Sequence, residues 1–245
     1  MSASSLWTPY EEAVRRQAIF LRNPLPAGPG VCGVCRSAVA EGYQNCYPCA
    51  QQSRSTDLTA DAVVPISYAL KGTQHAHNLA SYKFKRPSQG ANRALLALGL
   101  VFLRWHRPCL EDRAGGPLTH LTVVPSTRRR PGQHPLLALL GPHTSLPALQ
   151  ASDTGIYPPE DRMFHPDRFS AQMTAAGARI LLLDDTWTTG ARVQSLSHTF
   201  KSAGAQAVVA VVLGRHLNSE HDGSKALVDK ARRDTFDIRR CAAED

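Results

Sequence analysis

Two periods of apolar residues alternate along this chain, and the places where one gives way to the other mark its elements. Thr8-Pro9-Tyr10-Glu11 combines a hydroxyl cap, a proline at the first helical position and an acid three residues on, which predicts a helix running to about Leu21. Residues 24–30 form a proline- and glycine-rich linker, and a polar stretch at 51–56 leads to a strand expected around 63–70. Helical spacing returns at 74–82 and 91–105. Residues 118–124 read as the first strand of a core sheet, ending at Pro125, with a short helix following at 136–140. Ile180-Leu181-Leu182-Leu183 is an aliphatic run bounded by charge, the pattern of a parallel strand covered on both faces. From Ala191 the apolar residues Val193, Leu196 and Phe200 recur at helical spacing, and Gly204 supplies a C-terminal stop. The expected class is α/β, a parallel sheet flanked by helices.

The junction between that strand and helix carries the most chemistry. It reads Asp184-Asp185-Thr186-Trp187-Thr188-Thr189-Gly190-Ala191. Unpaired backbone N–H groups and the positive end of the helix dipole lie beside Thr188 and Thr189, which makes a phosphate seat. A bare anion would be repelled by Asp184 and Asp185. Carboxylates beside a phosphate suit a ligand that also carries hydroxyls or a divalent cation, as a ribose 5-phosphate does. A polar helix cap explains two such residues, but not the whole ordered run after a buried strand.

Three aliphatics, Asp-Asp, three residues and Thr-Gly resemble the signature of type I phosphoribosyltransferases. The resemblance implies that the loop binds 5-phosphoribosyl 1-pyrophosphate (PRPP). Asp184 and Asp185 would hold the ribose 2- and 3-hydroxyls. Thr186 to Gly190 would wrap the 5-phosphate, Thr188 and Thr189 adding donors. Mg²⁺ would bridge the ribose hydroxyls and the pyrophosphate through hard oxygen ligands. Trp187 stands where a small or aliphatic residue is expected, and either packs beneath the loop or lies over the ligand.

Composition narrows the setting. At 245 residues, with 42% hydrophobic and 20% charged, the chain suits one medium soluble domain plus a small module. The expected division is 1–55 for an N-terminal helix and zinc ribbon, and 56–245 for the phosphoribosyltransferase-like domain. The longest apolar run, 94–103, is flanked by Arg93 and Arg104 and is too short to span a bilayer. It also lies too far in for a signal peptide, so a buried core helix and a cytoplasmic protein are expected. A net charge of +8 suits a polyanionic partner, either PRPP or nucleic acid, and charge alone does not choose.

Four of the six cysteines fall as Cys32-x2-Cys35-x10-Cys46-x2-Cys49. Two such turns can converge on one Zn²⁺, and four thiolates close its coordination, so the metal is structural. Disulfides would need an oxidising compartment, and a single redox pair would not explain two motifs. The expectation is about one zinc per chain. Cys109 and Cys241 stand alone and read as core thiols. Gly28-Pro29-Gly30-Val31-Cys32-Gly33 matches the dinucleotide fingerprint by accident, since no strand precedes it and it overlaps the first cysteine pair.

Pro125-Ser126-Thr127-Arg128-Arg129-Arg130 follows the first core strand. A loop at the carboxyl end of a parallel strand lies where open α/β sheets bind ligands, and its guanidinium groups suit a pyrophosphate. A solvated basic turn is the plainer alternative. Residues 142–170, rich in Pro, Asp and Gly, suit a mobile flap over substrate. Asp153, Glu160 and Asp161 lie there, and none is assigned as a general base.

Paired cysteine knuckles, then Tyr82-Lys83-Phe84-Lys85, then Val124-Pro125 with its arginine loop, then Asp-Asp-Thr-x-Thr-Thr-Gly resemble the ComF family. Its members have the phosphoribosyltransferase fold and are associated in some bacteria with DNA uptake during natural transformation. The resemblance implies a type I phosphoribosyltransferase-like sheet behind a four-cysteine zinc ribbon. It also implies Mg-dependent transfer of ribose 5-phosphate to an unknown acceptor. The alternatives are a non-catalytic factor binding single-stranded DNA and a PRPP-sensing regulator. Where the family shows Arg-Gly-Phe-Asn-Gln after its first core strand, this chain has Arg130-Pro131-Gly132-Gln133-His134.

Overall fold

Runs of valine and leucine too apolar to face water build the centre of the molecule. The computed structural model describes residues 3–84, 86–126, 132–171, 175–220 and 222–244. The chain opens with α1 (Ala3–Gln17) and α2 (Tyr47–Ser55), then β1 (Ala62–Pro65) and β2 (Tyr68–Leu70). Next come α3 (Gln74–Ser81), α4 (Gln89–Arg113), β3 (His120–Val123) and α5 (Pro135–Leu140). A 3₁₀ turn (Gly141–His143) precedes β4 (Ala151–Asp153) and β5 (Phe169–Ala171). The chain ends with β6 (Arg179–Trp187), α6 (Ala191–Ser202), β7 (Ala207–Leu217) and α7 (Asp222–Arg233).

The main sheet runs β1-β7-β6-β3, with β2 also on β7, and every pairing in it is parallel. Alternate residues of β6 enter opposite layers, as a pleated strand requires. Leu181 and Leu183 pack with α3, α4 and α5, while Ile180 and Leu182 pack with α6 and the cysteine knuckles. A sheet covered on both faces explains why its strands read as unbroken apolar runs. Cys32, Cys35 and Cys49 lie in the same apolar cluster as Trp187 and Val193. On the outer edge, Leu227 and Val228 of α7 cover Tyr68 and Leu70.

Several expectations shift on the structure. The strand at 63–70 is broken at Ile66 and Ser67, yet keeps one register: Ala62 faces Val209 and Tyr68 faces Arg215. Hydrogen bonds from Ile66 N–H to Val212 (2.9 Å) and from Arg215 N–H to Ser67 (2.8 Å) bridge the break. The first helix begins at Ala3 and ends at Gln17, so Pro9 lies within it instead of opening it. A proline there removes a helical hydrogen bond. Trp7, Tyr10 and Ala13 packed on the core, with Arg104 over the Trp7 ring at 4.6 Å, offset the loss. The polar stretch at 51–56 belongs largely to α2, whose first turn carries Pro48 and whose Gln52 is buried.

Helix α4 outruns 91–105 at both ends. Ser88 accepts the Ala91 N–H at 3.2 Å, and Phe102, His106 and Leu110 extend the buried stripe past Pro108. It contains the 94–103 run, buried as expected. Residues 142–170 include β4, which pairs antiparallel with β5. Gly204, with φ 95°, ends α6 as expected. Its N–H bonds Lys201 and the Ala205 N–H bonds Phe200, both at 3.0 Å, the paired bonds of a Schellman stop. No described helix is long and apolar enough to cross a membrane.

Candidate functional site

Strand β6 does not stop at its aliphatic run. Because β7 continues beside it, pairing Asp184 with Val212 and Trp187 with Arg215, both aspartates are held in strand geometry and face opposite ways. Asp185 points toward the end of α3. Tyr82 Oη donates to Asp185 Oδ2 at 2.6 Å, and Lys83 Nζ donates to Oδ1 at 3.0 Å and Oδ2 at 2.9 Å. Burial pushes the Asp185 carboxyl up, but the Lys83 charge and these hydrogen bonds hold it below the usual carboxylate range. Asp184 behaves oppositely. Burial, and then the neighbouring Asp185 charge, push it up to about 7, while the Asp185 N–H donates to its Oδ1 at 2.9 Å. The pair thus combines a fixed anion with a group that changes charge near neutral pH.

The turn into α6 depends on two residues. Gly190 has φ 78°, a left-handed conformation that favours glycine. A Cβ placed there would sit 1.9 Å from Trp187 Cζ2. Trp187, 1% exposed, therefore packs beneath the loop, settling the two options left by the sequence. Its carbonyl accepts from Arg215 Nη1 at 3.1 Å. Expected among the PRPP-binding residues, Trp187 does not line the cavity above the loop and supports the turn from below.

That cavity has a volume of about 490 Å³ and opens beyond the carboxyl ends of β3, β6 and β7. Asp184, Asp185, Thr186, Thr188, Thr189 and Gly190 line it, together with Lys83, Ser126, His134 and His216. Of the expected pyrophosphate loop, Ser126 lines the cavity. Thr127, Arg128, Arg129 and Arg130 lie outside the described residues.

Two arginines not expected from the sequence supply positive charge at this cavity, Arg162 and Arg192. Arg162 Nη1 donates to Thr188 Oγ1 at 2.9 Å, and its carbonyl accepts from Thr189 Oγ1 at 3.0 Å, so the 142–170 segment is docked on the loop. Arg192 donates to the Pro159 carbonyl. Burial, followed by Arg168 and Arg162, lowers its pKa, a sign of crowded positive charge. Its position in the first turn of α6 was a legible signal, since anions gather there. Nothing in the local pattern marked Arg162. Asp161 pairs with His165 at 3.0 Å and Asp153 with Arg168 at 3.5 Å, whereas Glu160 lines the cavity.

The cysteine knuckles buttress the loop from the other side. Gln52 of α2 donates from Nε2 to the Thr189 carbonyl at 2.9 Å, and the Ala60 N–H bonds Gln194 Oε1 at 2.7 Å. Sulfurs of Cys32, Cys35, Cys46 and Cys49 all lie within 4.8 Å of one another, with Cys35 and Cys46 3.7 Å apart. Tetrahedral zinc–thiolate bonds place sulfurs about 3.8 Å apart, so this four-cysteine set is compatible with structural zinc. The fold and site together define an α/β protein with a parallel central sheet and a four-cysteine cluster near its N-terminus. No family model, curated protein or solved structure matches this chain.

Proposed function

We propose that the cavity binds PRPP and that the protein is a phosphoribosyltransferase-type enzyme transferring ribose 5-phosphate to an acceptor. One observation carries the reading: the acid pair, near the carboxyl end of its strand, lines a cavity that also receives the hydroxyl-lined N-terminus of α6. The α6 N–H groups with Thr188 and Thr189 suit the 5-phosphate. Asp184, facing the cavity beside Asp185, suits the ribose hydroxyls. Arg162 and Arg192 line the same cavity, and their charge suits the phosphates. Asp184 would offer a hard oxygen ligand to Mg²⁺ bound with PRPP, and the ion would supply Lewis-acid stabilisation of the leaving pyrophosphate.

In the transfer, the bond from C1 to pyrophosphate breaks as the acceptor attacks, and positive charge gathers on the sugar ring. The chain holds the phosphate at one end and the diol at the other, which fixes C1 against the acceptor. Preorganised cations then meet the charge that develops on the leaving group.

The test is a thermal-shift titration with PRPP and Mg²⁺, followed by a screen of nucleobases and amines for release of pyrophosphate. The reading predicts stabilisation by PRPP with Mg²⁺, and turnover with at least one acceptor. Stabilisation by single-stranded DNA without any response to PRPP would overturn it.

A further inference from the structure

Cys109 and Cys241, which the sequence suggests are isolated thiols, lie 3.5 Å apart at Sγ across 132 positions of chain. Cys109 is on α4, one turn after His106, and Cys241 follows α7 in the C-terminal segment, three residues before Glu244. His106 Nε2 is 2.6 Å from the Ile238 carbonyl, while its Nδ1 is 3.7 Å from Glu244 Oε1. One ligand atom from each of His106, Cys109, Cys241 and Glu244 lies within 4.8 Å of every other.

A carbonyl only accepts, so Nε2 carries a proton, and the neutral imidazole then turns its Nδ1 lone pair toward the cluster. That is how metal-binding histidines are oriented, with the outer nitrogen tied to a backbone oxygen. Two thiols, an imidazole and a carboxylate form a borderline-soft set that suits zinc. Tetrahedral zinc sets two thiolate sulfurs about 3.8 Å apart, and the 3.5 Å sulfur pair needs only a small separation to reach it. A disulfide would use the two sulfurs and leave His106 Nδ1 and Glu244 without a role.

We propose that His106, Cys109, Cys241 and Glu244 form a second zinc site that clasps the C-terminal segment onto α4. The site is closed by four protein ligands and is therefore structural. Its consequence reaches the knuckles. Arg36, between the two cysteine pairs, donates to the Ala242 carbonyl at 2.7 Å, and Arg113 donates to the Ala243 carbonyl at 2.7 Å. One short strap thus joins α4 to the cysteine-knuckle module, and the metal fixes it at the α4 end.

The test is zinc content of the full chain, loaded with Zn²⁺ and freed of loose ion by gel filtration. Wild type is expected to hold about two zinc ions, and Cys109→Ser with Cys241→Ser about one. Cobalt(II) loading of that variant should lose part of the thiolate charge-transfer absorption. Should the double variant fail to fold, Glu244→Gln keeps the test open, because that side chain is 54% exposed. It should weaken one zinc at least about tenfold, the loss seen even for outer partners of metal sites. About one zinc in the wild type, or an unchanged content in the double variant, overturns the proposal. So does a Glu244→Gln protein that holds both ions as tightly as wild type.

Discussion

Lys83 donates to both oxygens of Asp185 across 102 positions of chain, at 3.0 and 2.9 Å. The contact ties the end of α3 to the end of β6 and keeps one of two adjacent carboxylates charged in a buried setting. Lys83→Ala leaves Asp185 without that cation. Because the lysine side chain is 34% exposed, the cost should be moderate, about 1–3 kcal/mol in urea unfolding at neutral pH. Unchanged stability would show the pair to be incidental.

Asp184 sets opposite pH trends for stability and for binding. In the fold its carboxyl takes up a proton at about 7, against an ordinary value of 3.8. Between those values the folded chain holds a proton that the unfolded chain has released. The stability contributed by that protonated form is complete below about 3.8 and is lost as pH rises through about 7. Asp184→Asn should therefore be more stable than wild type at pH 8, with Tm higher by at least about 2 °C. Affinity for a divalent cation should move the other way, weakening as pH falls below 7. Calorimetric melting and Mg²⁺ titration at pH 6 and 8 check both trends.

Gly190 and Trp187 form one unit. Gly190→Ala meets the Trp187 ring and also strains the left-handed backbone, which together should cost more than about 2 kcal/mol. Adding Trp187→Leu removes the clash but not the backbone strain. The double variant should then recover part of the loss in a double-mutant cycle. Strict additivity would contradict the packing described.

Gln52 links the cysteine module to the loop through the Thr189 carbonyl, so metal and ligand binding should separate there. Gln52→Ala is expected to keep its full zinc content and weaken PRPP binding about three- to tenfold, in line with one lost hydrogen bond. Unaltered PRPP affinity would mean that the module only decorates the sheet.

Much of this architecture was legible locally. The aliphatic run before Asp184, the stop at Gly204 and the spacing of Cys32, Cys35, Cys46 and Cys49 each rest on neighbours in sequence, and each lies where the pattern predicts. What escaped depends on partners far along the chain. β6 extends to Trp187 because β7 runs beside it, and α1 tolerates Pro9 because Trp7 and Tyr10 find the α4 core. Arg162 reaches Thr188 only once the 142–170 segment folds over the loop. The meeting of Cys109 with Cys241 is likewise a tertiary event that no spacing announces.

Under the proposed function, the acid pair and the α6 N-terminus hold PRPP. Isothermal titration of PRPP with Mg²⁺ into wild type and into Asp184→Asn with Asp185→Asn tests it most directly, with circular dichroism to verify the fold. Saturable binding by the wild type and its loss in a folded double variant is the predicted result. Equal PRPP affinity in the two proteins would show that the acid pair does not hold PRPP.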